Sequence, residues 1–219
     1  MLIKKQKTSY SEIKNSLKTG DIILMHGLHA SSRFIQLVEG CPWSHVAIIV
    51  LAGDIGLDVG DDNILLWESD TETAVQDVIL GKAKSGPMLV KLSERLKYNF
   101  THGEDSRCAV RYLHAERDAG MFESLKKVIP EMHPATFPDT YHEMLNPALG
   151  RIFKEKTDLS TMFCSELAAY TYIKMGLLTS IHPVNSYFPL DFSEKLSAGL
   201  LKRAWLNEEI ELAIDTRNL

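Results

Sequence analysis

Ser44 to Leu51 (Ser-His-Val-Ala-Ile-Ile-Val-Leu) constrains this chain more than any other segment. Its apolar residues occupy both alternating positions, so as a strand it has no face to give to water. It must lie inside a sheet with packed layers above and below. The chain can meet that demand, because 45% of its 219 residues are hydrophobic and a domain of this size buries most of its apolar surface.

The neighbouring segments supply a sheet and its cover. Gly53 to Asp62, rich in Gly and Asp, reads as a turn, and Asn63 to Ser69 as the returning strand. Asp21 to Met25, Met88 to Leu92 and Cys108 to His114 are further strands. Helices are expected over Ser11–Lys18, closed by Gly20, and over Ser32–Glu39, ended by Gly40 and Pro42. Ser93–Tyr98 and Ala119–Ile129 also read as helical. Thr161 to Met175 is the strongest helix, with Gly176 as its C′ residue. Pro189 opens another, and a strand around Trp205 and Leu212 closes the chain.

These elements give an α+β fold class in a single domain, 1–219, without repeats or a linker. The irregular part is an insertion around 130–150. Pro130, Pro134, Pro138 and Pro147 interrupt it, with one short helix near Thr140. Ordered loops of this kind serve as lids or as passive surface.

Charge narrows the partners. The net charge is −5 and no basic run stands out, which argues against nucleic acid. No apolar stretch approaches the roughly 18 residues of a membrane span, so stable membrane insertion is not expected. Lys4, Lys5 and Lys7 open the chain, but no apolar core follows them as it would in a secretory signal. Cys41, Cys108 and Cys164 are odd in number and form no C-x-x-C pair, which points to reduced thiols and the cytoplasm. Nothing in the pattern speaks to oligomeric state.

Two local arrangements carry chemistry. If the strands Ser44–Leu51 and Asn63–Ser69 fold about a turn centred near Gly56 and Leu57, His45 and Glu68 lie directly opposite each other. A carboxylate there accepts the imidazole N–H, fixes its tautomer and stabilises its charged form. Cys164, Leu167, Ala168, Thr171 and Met175 follow one helical stripe, with Cys164 in the first turn behind Ser160 and Thr161 as candidate N-caps. A helix N-terminus favours thiolate over thiol and offers free N–H groups to an oxyanion. Each arrangement also has an ordinary explanation: a His–Glu pair at a strand end, and a cysteine that only packs.

Five segments occur here in order: Gly20-Asp21-Ile22-Ile23-Leu24, Trp43-Ser44-His45-Val46-Ala47-Ile48-Ile49-Val50, Leu66-Trp67-Glu68, Phe163-Cys164-Ser165-Glu166-Leu167, and Phe188-Pro189-Leu190-Asp191-Phe192. The series resembles the circularly permuted branch of the NlpC-type papain-like superfamily, the YiiX-like cysteine hydrolases. The resemblance implies Cys164 as nucleophile, His45 as base and Glu68 as the third, polar member. It implies a small antiparallel sheet or half-barrel packed on the cysteine helix, and a peptidase or amidase acting on a small peptide or amide, such as cell-wall-type or γ-glutamyl peptides. The alternatives are a lipid-directed acyltransferase or thioesterase with the same Cys-His site, and a binding module that retains the fold without catalysis. Many relatives carry an aromatic hydroxyl before the cysteine, where this chain has Phe163.

No cofactor and no metal are expected. His26, His29, Cys41 and His45 have ligand-like spacing, but such a site would take His45 away from Glu68. The remaining histidines read as surface or hydrogen-bonded residues, and Cys41 and Cys108 as packing residues. Trp43 either lines the cleft or belongs to the core.

Overall fold

The strand that needs cover on both faces has it: Val46 through Val50 are wholly buried. The computed structural model describes residues 7–26, 42–71, 74–102, 106–136, 163–196 and 204–219. In chain order the strands begin with β1 (Thr8–Ser9), β2 (Ile22–Met25), β3 (His45–Leu51), β4 (Ile64–Asp70), β5 (Gln76–Asp77) and β6 (Lys82–Ala83). They continue with β7 (Gly86–Lys91), β8 (Cys108–Arg111), β9 (Leu113–His114), β10 (Trp205–Leu206) and β11 (Ile210–Ala213). The described helices are α1 (Tyr10–Ile13), α2 (Leu92–His102), α3 (Ala119–Met132) and α4 (Cys164–Lys174).

The fold is α+β around a seven-stranded mixed sheet in the order β1-β11-β8-β2-β3-β4-β7. Only the outermost pair, β1 with β11, is parallel. Alternating residues of the central strands feed two separate cores. Ile22, Leu24, Val46 and Ile48 face α3 and α4, whereas Ile23, Met25, Ala47 and Ile49 face α1 and α2. Helices on both sides explain why β3 is apolar at every position from Val46 to Leu51. Among the described residues, no helix is long and apolar enough to cross a membrane.

The helix bearing Cys164 is tied to the sheet by a buried polar bond as well as by packing. Trp67 Nε1 on β4 donates to Thr171 Oγ1 on α4 at 3.0 Å, and that hydroxyl donates in turn to Leu167 O at 2.7 Å. Gly20, ahead of β2, has φ 95°, and a Cβ there would lie 2.8 Å from side-chain carbons of both Leu113 and Met121. Glycine is required at that turn for conformation and for space. Next to it, Asp21 accepts the backbone N–H groups of Leu113 and Lys18 and an Arg117 N–H at 2.7–2.8 Å, locking the far end of β2.

Several boundaries differ from the sequence expectation. The expected first helix is α1 followed by a 3₁₀ turn, Lys14–Ser16. The helix expected to stop at Ile129 continues as α3 through Pro130 to Met132. Leu125, Val128, Ile129 and Met132 are all buried, so the apolar stripe outweighs the N–H that proline lacks. The Pro-rich excursion therefore starts later, and its residues 137–150 lie outside the described part of the chain, as does the helix expected over 32–39.

Candidate active site

β3 and β4 bring His45 and Glu68 together, but in a different register from the one expected. The pairs run from Ile48 opposite Trp67 to Leu51 opposite Ile64, a displacement of two residues. Continued to the strand ends, this register sets Asp70 across from His45 and moves Glu68 to the diagonal position on the same face. Diagonal neighbours are farther apart than direct ones but within reach of long side chains. Histidine and glutamate span the gap: His45 Nε2 lies 2.6 Å from Glu68 Oε2. The reason for the displacement is visible in the connection, where a 3₁₀ turn over Ala52–Ile55 ends on left-handed Gly56 (φ 78°) and shifts the centre of the hairpin.

Cys164 is the first residue of α4, and Phe163 occupies the N-cap position. The expected caps Ser160 and Thr161 lie outside the described residues. Glu166 performs a capping role from within the helix, its Oε2 accepting the Phe163 N–H at 3.0 Å. Burial raises the Glu166 carboxyl to about 7 against the pull of that hydrogen bond, so near neutrality it does not set a full negative charge beside Cys164.

Cys164 comes from the helix on one face of the sheet, and the His45–Glu68 contact belongs to the other. They meet because His45 begins β3 and Cys164 begins α4. With Nε2 turned to Glu68, the other ring nitrogen, Nδ1, is the one left for the thiol. Burial alone would push the imidazolium down. The Cys164 charge and hydrogen bond, followed by those of Glu68, outweigh it and raise His45 from 6.5 to about 10. Cys108 is the opposite case. Burial, assisted by the Glu211 charge and only partly opposed by Lys7, pushes that thiol up to about 12.

Two site residues escape the sequence reading. Arg95 on α2 sets its Nε 3.0 Å from Glu68 Oε1 and also bonds Asp70, and its side chain is only 6% exposed. Glu68 therefore answers His45 with one oxygen and Arg95 with the other. The signal was available in Glu68-x-Asp70: two carboxylates on one face of a strand end need a cation beside them.

The other candidates separate from this cluster. His26 Nδ1 donates to Pro42 O at 2.7 Å, while His29 and Cys41 lie outside the described residues. Trp43 is a core residue, 1% exposed, with the Arg107 guanidinium 5.4 Å from its ring centroid. His102 stacks on Tyr98 and His114 on Trp205.

No protein-family profile and no curated protein sequence match this chain. Among solved structures it is similar to the metalloprotein yiiX from Escherichia coli O157:H7, at 15% sequence identity and a TM-score of 0.43. That alignment covers 90% of this chain and 97% of the other. At this distance, only the chain's own residues speak to function.

Proposed function

We propose that the protein is a cysteine hydrolase of permuted papain-like architecture that cleaves an amide bond through a Cys164 acyl-enzyme. The observation that carries this reading is the placement of the His45 imidazole between Glu68 at 2.6 Å and the first-turn thiol of Cys164, with the imidazolium raised to about 10. A histidine so flanked takes the thiol proton and holds the resulting thiolate as an ion pair.

The chemistry then follows in two halves. The thiolate attacks the amide carbonyl, forming a C–S bond while the carbonyl π electrons move to oxygen. N–H groups of the first turn of α4, which have no acceptor within the helix, face the developing oxyanion. The oxyanion collapses, the C–N bond breaks and His45 delivers its proton to the departing amine. Water, losing a proton to His45, attacks the thioester. The tetrahedral adduct expels the Cys164 thiolate and leaves a carboxylic acid. Glu68 keeps the imidazole in one tautomer and orientation throughout.

Competition distinguishes the substrate classes. Cys164 is labelled with a thiol-reactive probe in the presence of muropeptides, γ-glutamyl amides or lipid esters, and released product is measured. The proposal expects protection and turnover with one of the amide classes, and loss of both in Cys164→Ala. Protection and turnover by lipid esters alone would replace the amide with an ester, and labelling independent of His45 would remove the enzyme reading.

A further inference from the structure

Behind Glu68 sits a charge that acyl transfer does not itself use. Arg95 is buried beside the buried Glu68 and the partly exposed Asp70, and its guanidinium reaches one oxygen of each. Ligand-type atoms of His45, Glu68 and Asp70 lie within 4.8 Å of one another, so two carboxylates face a single imidazolium, an imbalance that is costly without a second cation. The guanidinium is that cation, and its fork suits two carboxylates as a single ammonium does not.

We infer that Arg95 is a positioning residue for the Cys164 site: it holds Glu68 by Oε1 and offsets Asp70, so that Glu68 keeps its other oxygen on His45. This rests on the hydrolase reading above.

Among the described residues, Glu68 and Asp70 from β4 face Arg95, with His45 of β3 and Cys164 of α4 beyond Glu68. Lys91 of β7 shares parity with Leu89 and so falls on the other face. His102, at the end of α2, hydrogen bonds back to Tyr98 O, and Arg217, in the turn packed on α2, is paired with Asp215. With Arg95 removed, buried Glu68 and partly exposed Asp70 face each other with no guanidinium between them, Glu68 is no longer held toward the imidazole, and His45 loses part of what keeps it charged.

The test is the pH dependence of Cys164 alkylation by iodoacetamide in the full chain. In Arg95→Met the acid limb moves upward by about one pH unit, so the rate on that limb falls about tenfold while the plateau stays. Arg95→Lys, which keeps the charge, returns the limb most of the way. If the Met variant does not fold, Arg95→Gln, neutral but still an N–H donor, is read in the same way. A structural role alone lowers the folded fraction or the plateau and leaves the limb in place. An unmoved limb in a folded neutral variant overturns the inference, as does a Lys variant shifted as far as the neutral one. If wild-type Cys164 shows no His45-dependent reactivity, the hydrolase reading itself fails, a different result from an unmoved limb.

Discussion

Among the described residues, two buried histidine–carboxylate pairs are built differently. His133 Nε2 lies 3.1 and 3.2 Å from the two oxygens of Asp77. The same carboxylate accepts the backbone N–H groups of Leu80 and Leu89 at 2.7 and 2.9 Å. Its acceptor capacity goes to fastening the β5–β6 hairpin, β7 and the end of α3 to one another. Burial pushes Asp77 up, but the hydrogen bonds from His133, Leu80 and Leu89 and the His133 charge hold it below the ordinary carboxylate value. At His45–Glu68 no backbone group of the described residues is fastened by either side chain. One Glu68 oxygen serves the imidazole, the other serves Arg95, and a thiol stands on the far side of the ring. A buried His–carboxylate pair is thus a joint in one place and, in the function proposed above, the base beside a nucleophile in the other.

Substitution breaks the comparison most sharply. His45→Ala is expected to slow alkylation of Cys164 at pH 6 by about 100-fold or more, because the thiol loses its proton acceptor. His133→Ala leaves the rate per folded molecule unchanged and lowers stability by about 1–3 kcal/mol, the cost of unmaking a buried hydrogen bond. Rates of labelling and denaturant midpoints of the two variants separate the roles.

The two pairs also carry opposite pH signatures. His45 is raised in the fold, from 6.5 to about 10. Its contribution to stability is complete below 6.5 and is lost as the pH rises through about 10. Turnover falls over the same upper range, since protonating the leaving amine needs the imidazolium, whereas alkylation needs only thiolate and does not fall. Asp77 is depressed below 3.8, so its contribution is present above that value and lost as the pH falls through the lower folded value. Asp77→Asn flattens the acid side of the stability profile and leaves the alkaline side alone.

The smallest effect sharpens the link between sheet and cysteine helix. Thr171→Val removes the acceptor of Trp67 Nε1 in the buried contact between β4 and α4. The expected loss is about 1–3 kcal/mol in chemical denaturation, for one buried donor left unpaired. The pH profile of Cys164 labelling keeps its shape.

Much of this organisation is legible in the residues. The uniform apolarity of Val46–Val50 demands the two-sided burial that the structure has, and the stripe from Cys164 to Met175 places α4 against the sheet. Register is harder to read, because it depends on how the residues after Leu51 turn. The 3₁₀ segment ending at Gly56 shifts the pairing by two, which preserves the face on which each side chain lies. A shift of one would have sent Glu68 to the wrong side of the sheet. Arg95 is not legible from local pattern, since its helix is brought under β4 only by the tertiary fold. The boundary at Pro130 misled for a related reason: three turns of buried side chains hold α3 together where the local rule ends it.

The central claim is that Cys164 is made reactive by His45, and site-resolved alkylation tests it most directly. Wild-type protein is treated with iodoacetamide at pH 6 and modification of Cys164 and Cys108 is followed by mass spectrometry, alongside His45→Ala. The account predicts fast modification of Cys164 that collapses in the variant, with Cys108, a thiol up to about 12, unmodified throughout. Equal rates at the two cysteines, or a Cys164 rate indifferent to His45, would contradict it.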